Sequence, residues 1–128
     1  MRTEAQLFKA LADETRLKIL WLLMEQKELC VTEFTGVLDI TQSRASRHLQ
    51  TLSRAGLVTG RRDRFCVYYR ISAGPETREG KLLELLREML AGQPAAETLR
   101  KWFQRWFDPA TWQTTRIVRE VEKYLSKS

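Results

Sequence analysis

Cys30, His48 and Cys66 are the only cysteine and histidine side chains in this chain, and they stand well apart in sequence. One histidine excludes any single-chain site that needs two. Two distant cysteines make neither a disulfide framework nor a zinc ribbon, and reduced thiols in a cytoplasmic protein are the expectation. The denser chemistry belongs to arginine. Arg44, Arg47, Arg54, Arg61, Arg62, Arg64 and Arg70 fall between residues 40 and 70 against Asp63 alone, so this stretch carries +6, as much as the whole chain. Charge concentrated in this way marks a surface for a polyanion and not a general aid to solubility. Guanidinium groups meet phosphate oxygens and guanine edges with paired hydrogen bonds, which makes double-stranded DNA the expected partner.

Such cations must be carried on rigid elements, and the surrounding pattern supplies them. Glu4 to Leu11 puts Leu7, Phe8 and Leu11 on one helical face, and Asp13 is a good N-cap for a second helix, Glu14 to Glu25, with Leu17, Leu20, Trp21 and Met24 inward. Thr32 is expected to cap a short third helix, Glu33 to Leu38. Thr41 is expected to cap a fourth, Gln42 to Ala55, with Gly56 as its stop. A short helix, a tight turn and a second helix make a helix-turn-helix. Ala45, Leu49 and Leu52 form the narrow buried stripe of the fourth helix, leaving Gln42, Ser43, Arg44, Ser46 and Arg47 on its open side. Arg44 lies in the first turn, where a cation opposes the helix dipole at a cost of about 0.3–1 kcal/mol. A phosphate or base edge would more than offset that cost.

Val58 to Gly60 and Phe65 to Ile71 read as two strands of a hairpin whose tip presents Arg61, Arg62 and Arg64 to the flanking DNA backbone. Beyond a linker at 72–76, a fifth helix from Arg78 to Leu90 is apolar over more than half its circumference, which calls for two neighbours or a partner subunit. A sixth, Ala95 to Phe107, aligns Leu99, Trp102, Phe103, Trp106 and Phe107, and a seventh is expected over Ala110 to Leu125. At 128 residues the chain can bury a real core without staples. It has no apolar run long enough to span a membrane and no signal-peptide core at its start. The expected architecture is mainly α with a small β-hairpin: a winged helix-turn-helix over residues 1–91 for DNA binding and dimerisation, with two additional C-terminal helices over 92–128 packed on it.

Four motifs occur in order: L-F-K-A-L-A-D-E-T-R-L-K-I-L at 7–20, E-L-C-V at 28–31, T-Q-S-R-A-S-R-H-L at 41–49 and A-G-L-V at 55–58. Together they resemble the ArsR/SmtB family of winged-helix repressors over residues 4–71. The resemblance implies a homodimer joined through its first and fifth helices, with the helix from Gln42 in the major groove of an operator. It also implies a sensing site, which is incomplete here. In an E-L-C-V-C pattern Cys30 takes the first cysteine position, but Thr32 replaces the second, and residues 78–91 hold neither Asp nor His for the alternative family site. A soft metal or metalloid wants about three or four thiolates. No metal ligand set is therefore assigned, and an effector, ion or small molecule, is left open.

Each remaining feature has a plain reading beside the functional one. Cys30 is either an inert core residue or a sensing thiol, acting by oxidation or through a soft ion shared across the dimer; the adjacent Glu28 and Glu33 argue against a reactive thiolate. Cys66 is expected to be structural, and His48 to pack or to bond a phosphate. The aromatic stripe of the sixth helix either packs on the fifth helix or across the dimer, or lines a pocket for an apolar effector. Catalysis is not expected, because Cys30 has no histidine but His48, which the reading helix already claims. The function expected is operator-specific repression of transcription. The alternative is a DNA-tethered interaction module that docks a partner on its aromatic C-terminal helices.

Overall fold

The structure, a computed structural model, describes residues 1–106. Six helices and three short strands follow one another as α1 (Arg2–Leu11), α2 (Glu14–Glu25), β1 (Leu29–Cys30), α3 (Val31–Leu38), α4 (Gln42–Arg54), β2 (Val58–Asp63), β3 (Cys66–Ile71), α5 (Arg78–Leu90) and α6 (Pro94–Trp106). The expected seventh helix lies outside the described residues.

The core forms around α2, where Ile19, Leu20, Trp21, Leu22 and Leu23 are all buried and meet Leu7, Phe34, Leu49, Leu52, Leu57 and Val58 from the surrounding elements. Asp13 caps α2 as anticipated, its carboxylate accepting the N–H of Arg16 at 3.0 Å. Thr41 likewise caps α4, accepting the N–H of Arg44 at 3.2 Å. Between α3 and α4 the chain turns through Asp39 at φ 53°, a left-handed conformation that Asp tolerates better than most side chains. After α4, Gly56 takes φ +78°. There the Gly56 N–H bonds Ser53 O at 3.0 Å and the Leu57 N–H bonds Leu52 O at 3.1 Å, a Schellman stop in which the buried Leu52 and Leu57 meet across the turn.

The hairpin is longer than the sequence pattern implied, with β2 running to Asp63, and β1 makes it a three-stranded antiparallel sheet in the order β1-β3-β2. Cys30 pairs with Tyr68, Arg61 with Tyr68 and Asp63 with Cys66. Strand β1 has only two residues, too few to show alternation, and its partner is distant in sequence.

Three expectations are corrected. Helix α3 starts at Val31 with Cys30 as its N-cap and no side-chain cap. The Thr32 hydroxyl instead stands 3.1 Å from Cys30 Sγ and 4.0 Å from Cys66 Sγ. Next, the cysteines expected to be separate thiols are joined as a Cys30–Cys66 disulfide, their Cα atoms 6.0 Å apart, because β1 and β3 lie side by side. Finally, α6 packs on α2 and α3, where a place on α5 was one expectation. Ala96 and Leu99 enter the common core there. Helix α5 buries only Leu83 completely; Phe8, Leu85 and Met89 are 59%, 51% and 62% exposed.

Candidate nucleic-acid interface

The α4 stripe of Ala45, Leu49 and Leu52 is fully buried, which fixes the rotation of the helix and turns Thr41, Gln42, Ser43, Arg44 and Arg47 to solvent, with Ser46 half-buried. Gln42, Ser43, Ser46 and Arg47 line one shallow depression on that face. Ala45 does for α3 what its size predicts, allowing the two helices to meet without a bulky side chain between them. Among the described residues no acidic side chain forms an ion pair with Arg44 or Arg47. A patch of guanidinium groups left unneutralised beside hydroxyl and amide donors is suited to phosphate oxygens and base edges.

Arg16 steadies this face from behind. Its guanidinium donates to Ala10 O at 2.8 Å and Lys9 O at 3.1 Å, and its Nη1 lies 3.3 Å from Nδ1 of His48. The guanidinium can only donate, so Nδ1 of His48 is the acceptor and its Nε2 carries the proton. Burial pushes the His48 pKa below its usual value; Asp13 opposes the shift, and Arg16, Arg44 and Arg47 reinforce it. His48 is thus an internal strut of α4. Among the described residues no cluster of three or more His, Cys, Asp or Glu could hold a metal ion.

On the wing, Arg61, Arg62 and Arg64 are all exposed, but they are not equivalent. Arg61 crosses the ring of Tyr68 at 4.8 Å and grips Glu28 with two charge-assisted bonds, Nε to Oε2 at 3.0 Å and Nη2 to Oε1 at 2.5 Å. Arg61 accordingly holds the Glu28 carboxyl below its usual range. Arg62 and Arg64 make no ion pair among the described residues. Sequence reasoning missed Glu28 as the partner of Arg61, because the two meet only once β1 joins the sheet. Cys30, the candidate sensing residue, is buried and bonded to Cys66. Away from these residues, Trp102 is 53% exposed at the rim of an open cleft of about 530 Å³ between α6 and the α3 end, with Lys18 and Asp39 on the other side.

A helix-turn-helix whose second helix offers uncompensated arginines beside a β-wing defines a winged-helix DNA-binding protein. Residues 13–59 match the family of bacterial regulatory proteins described as the arsR family. The chain is 40% identical to the transcriptional activator HlyU of Vibrio cholerae over 83 residues, covering 65% of this chain and 73% of that one. The solved structure of HlyU from Vibrio cholerae superposes with a TM-score of 0.59 at 38% identity, covering 69% of this chain and 91% of the other. This chain therefore belongs to the ArsR family of transcriptional regulators, a family of DNA-binding proteins and not of enzymes. It is also 51% identical over 67 residues to the arsenical resistance operon repressor of Escherichia coli, a match covering 52% of this chain and 57% of the repressor; the chain spans about half the length of such arsenic and cadmium regulators. A solved structure from Mycobacterium bovis described as a homodimeric winged helix-turn-helix DNA-binding domain is similar at 35% identity, with a TM-score of 0.59 and coverage of 69% and 78%.

Proposed function

We propose that this chain is a homodimeric repressor acting in the cytoplasm on a near-palindromic operator. The observation that carries the reading is the exposed pair Arg44 and Arg47, without an ion-pair partner among the described residues, on a helix whose rotation is locked by Ala45, Leu49 and Leu52. Helix α4 enters the major groove with Thr41, Gln42, Ser43, Arg44, Ser46 and Arg47 toward the bases and phosphates, and Arg62 and Arg64 hold the flanking backbone, with Arg61 in reserve. A second copy docks across α1 and α5, where Phe8, Leu85 and Met89 stand exposed. A two-fold dimer then sets its reading helices in successive major grooves about 10–10.5 bp apart. Within the expected 92–128 extension, helix α6 packs on this domain, as the seating of Ala96 and Leu99 in the core supports; residues 107–128 lie outside the described residues.

The dimer is effector-responsive: a ligand that favours one dimer geometry changes the separation of the two reading helices. Regulators of arsenical and cadmium resistance among the relatives make a soft ion one class of effector, though the cysteine thiols on this chain number only two.

The test is to enrich duplexes from a random library with the full chain and to titrate the winner. A palindromic consensus bound by the wild type, and lost in the Arg44→Ala/Arg47→Ala double variant at unchanged helicity, supports the reading. Recovery of no consensus, or equal binding by the double variant, ends it.

A further inference from the structure

One side of the three-stranded sheet carries two side-chain links that the operator reading leaves unexplained. Cys30 and Arg61 are both the register partners of Tyr68, so all three side chains leave the same side of the sheet. Glu28 lies two residues before Cys30, and Cys66 two residues before Tyr68, which adds both to that side. Two links result between the β1 segment and the wing: the Cys30–Cys66 disulfide and the Glu28–Arg61 ion pair laid over Tyr68. Cys66 faces Asp63 at the tip end of the hairpin, and Cys30 is the N-cap of α3, the first helix of the helix-turn-helix. The disulfide therefore fastens the free end of the wing to the body of the reading unit.

We propose that Cys30 and Cys66 form a reversible thiol pair, oxidised by hydroperoxides, whose disulfide clamps the wing and weakens DNA binding; this rests on the operator reading above. A transcription regulator works where the DNA is, in a compartment whose thiol pool keeps cysteines reduced, and disulfides that form there are mostly transient and redox-sensing. The pair has the spacing that bridging requires without backbone movement, since Cα atoms 6.0 Å apart fall inside the range of about 4.4–6.8 Å. Access is unequal. Cys66 is half-buried and Cys30 is buried, so Cys66 meets the oxidant and Cys30 resolves.

The Cys66 thiolate attacks the terminal peroxide oxygen of ROOH, the O–O bond breaks, and ROH leaves with a proton, giving a sulfenic acid on Cys66. The Cys30 thiolate attacks that sulfur, the S–O bond breaks, and water departs as the disulfide forms. Two thiols are oxidised and one peroxide is reduced. Thiol–disulfide exchange with the cellular thiol pool restores the pair and yields one low-molecular-weight disulfide.

The clamp acts on DNA through Arg61. With the wing fastened to β1, Arg61 is held against Glu28 and its charge is spent there. Opening the disulfide removes the one covalent tie between the tip end of the wing and α3, so the strand end bends toward the duplex and Arg61 exchanges a carboxylate for a phosphate. Reduction gives each subunit one more phosphate partner. The salt dependence of binding by the reduced dimer is then steeper by about 2 in log K against log[salt], with affinity about tenfold higher at moderate salt.

The full-length chain, its two variants Cys66→Ser and Glu28→Gln, and the duplex enriched from the random library provide the test. Protein is treated with dithiothreitol or with hydrogen peroxide, counted for free thiols by alkylation and mass, and titrated with the duplex by anisotropy at several salt concentrations. The expected result is two alkylatable thiols after reduction and none after peroxide, with reversal by dithiothreitol. Oxidised wild type binds about tenfold more weakly and with the shallower slope. Cys66→Ser keeps the reduced isotherm under peroxide, and Glu28→Gln, which frees Arg61 in both states, loses most of the redox difference. Thiols that stay alkylatable after peroxide overturn the dithiol chemistry. Complete oxidation with an unchanged isotherm overturns the wing clamp alone. A chain that enriches no duplex in either state overturns the operator reading and the clamp together, while the thiol count still decides the chemistry.

Discussion

Arg16 reaches from the first turn of α2 to His48 on α4, its Nη1 3.3 Å from the imidazole Nδ1, and with the same guanidinium it closes the end of α1 through the carbonyls of Lys9 and Ala10. Three helices are joined at one side chain, and one of them is the helix that carries the candidate DNA-contacting face. Arg16→Ala would leave two carbonyls and an imidazole acceptor without their donor. The expected cost is about 2 kcal/mol of unfolding free energy, read from urea denaturation. Arg16→Lys, which cannot reproduce the fork, should recover less than half of it. An alanine variant as stable as the wild type would show that Arg16 does not brace α4.

The His48 environment gives that brace a pH dependence. Burial, with Arg16, Arg44 and Arg47 adding to it, holds the folded-state pKa below the ordinary value of 6.5. Well above pH 6.5 the imidazole is neutral in both folded and unfolded chains, and its contribution is intact. As pH falls below that value the unfolded chain takes up the proton first, so stability declines until the folded pKa is passed. Thermal midpoints measured from about pH 7.5 down to about 5.5 should drop more steeply for the wild type than for His48→Gln. Parallel curves would remove His48 as the titrating group.

Helix α4 and its surroundings were legible in the sequence because each signal was local. Asp13 and Thr41 as caps, Gly56 as a stop and Ala45, Leu49 and Leu52 as the buried stripe rest on spacings of three or four residues, and the structure has all of them. What went unread depends on contacts between distant segments. Strand β1 exists only because Leu29 and Cys30 meet Tyr69 and Tyr68, and with it come the cysteine bridge and the Glu28–Arg61 pair. Thr32 looked like a cap by residue type, yet its hydroxyl stands among the sulfurs. The stripe on α6 announced burial correctly through Leu99 but could not say that α2 and α3 would be the surface beneath it.

The two groups of arginines should separate in DNA binding. Arg44 sits on the cap turn of α4 and faces outward, so Arg44→Ala is expected to cost about 1–3 kcal/mol and to relax discrimination among operator variants. Arg64 on the wing tip should act on the backbone. Arg64→Ala then weakens all duplexes alike and reduces the salt slope by about 1 for each phosphate it no longer neutralises. Anisotropy titrations against the selected duplex and a scrambled one, at two salt concentrations, distinguish the roles. The reverse pattern would mean that the wing reads sequence and α4 only positions it.

Helices α1 and α5 leave Phe8, Leu85 and Met89 more than half exposed in the single chain, while the ion pair from Arg78 to Glu4 at 2.8 Å ties the starts of those helices together. Large apolar side chains exposed in this way are ordinary for the middle of a subunit interface and costly to leave in water. A carboxylate placed there would lose its hydration on association without gaining a partner, which costs several kcal/mol per ion. Leu85→Glu/Met89→Glu should therefore sediment as a monomer while keeping its helical content, since neither residue is part of the buried core. Operator affinity should fall much further than removing a single DNA-binding side chain would explain, because two half-sites bound through one dimer gain from a high effective concentration that separate monomers lack. A variant that still sediments as a dimer and binds normally would place the subunit interface elsewhere on the molecule.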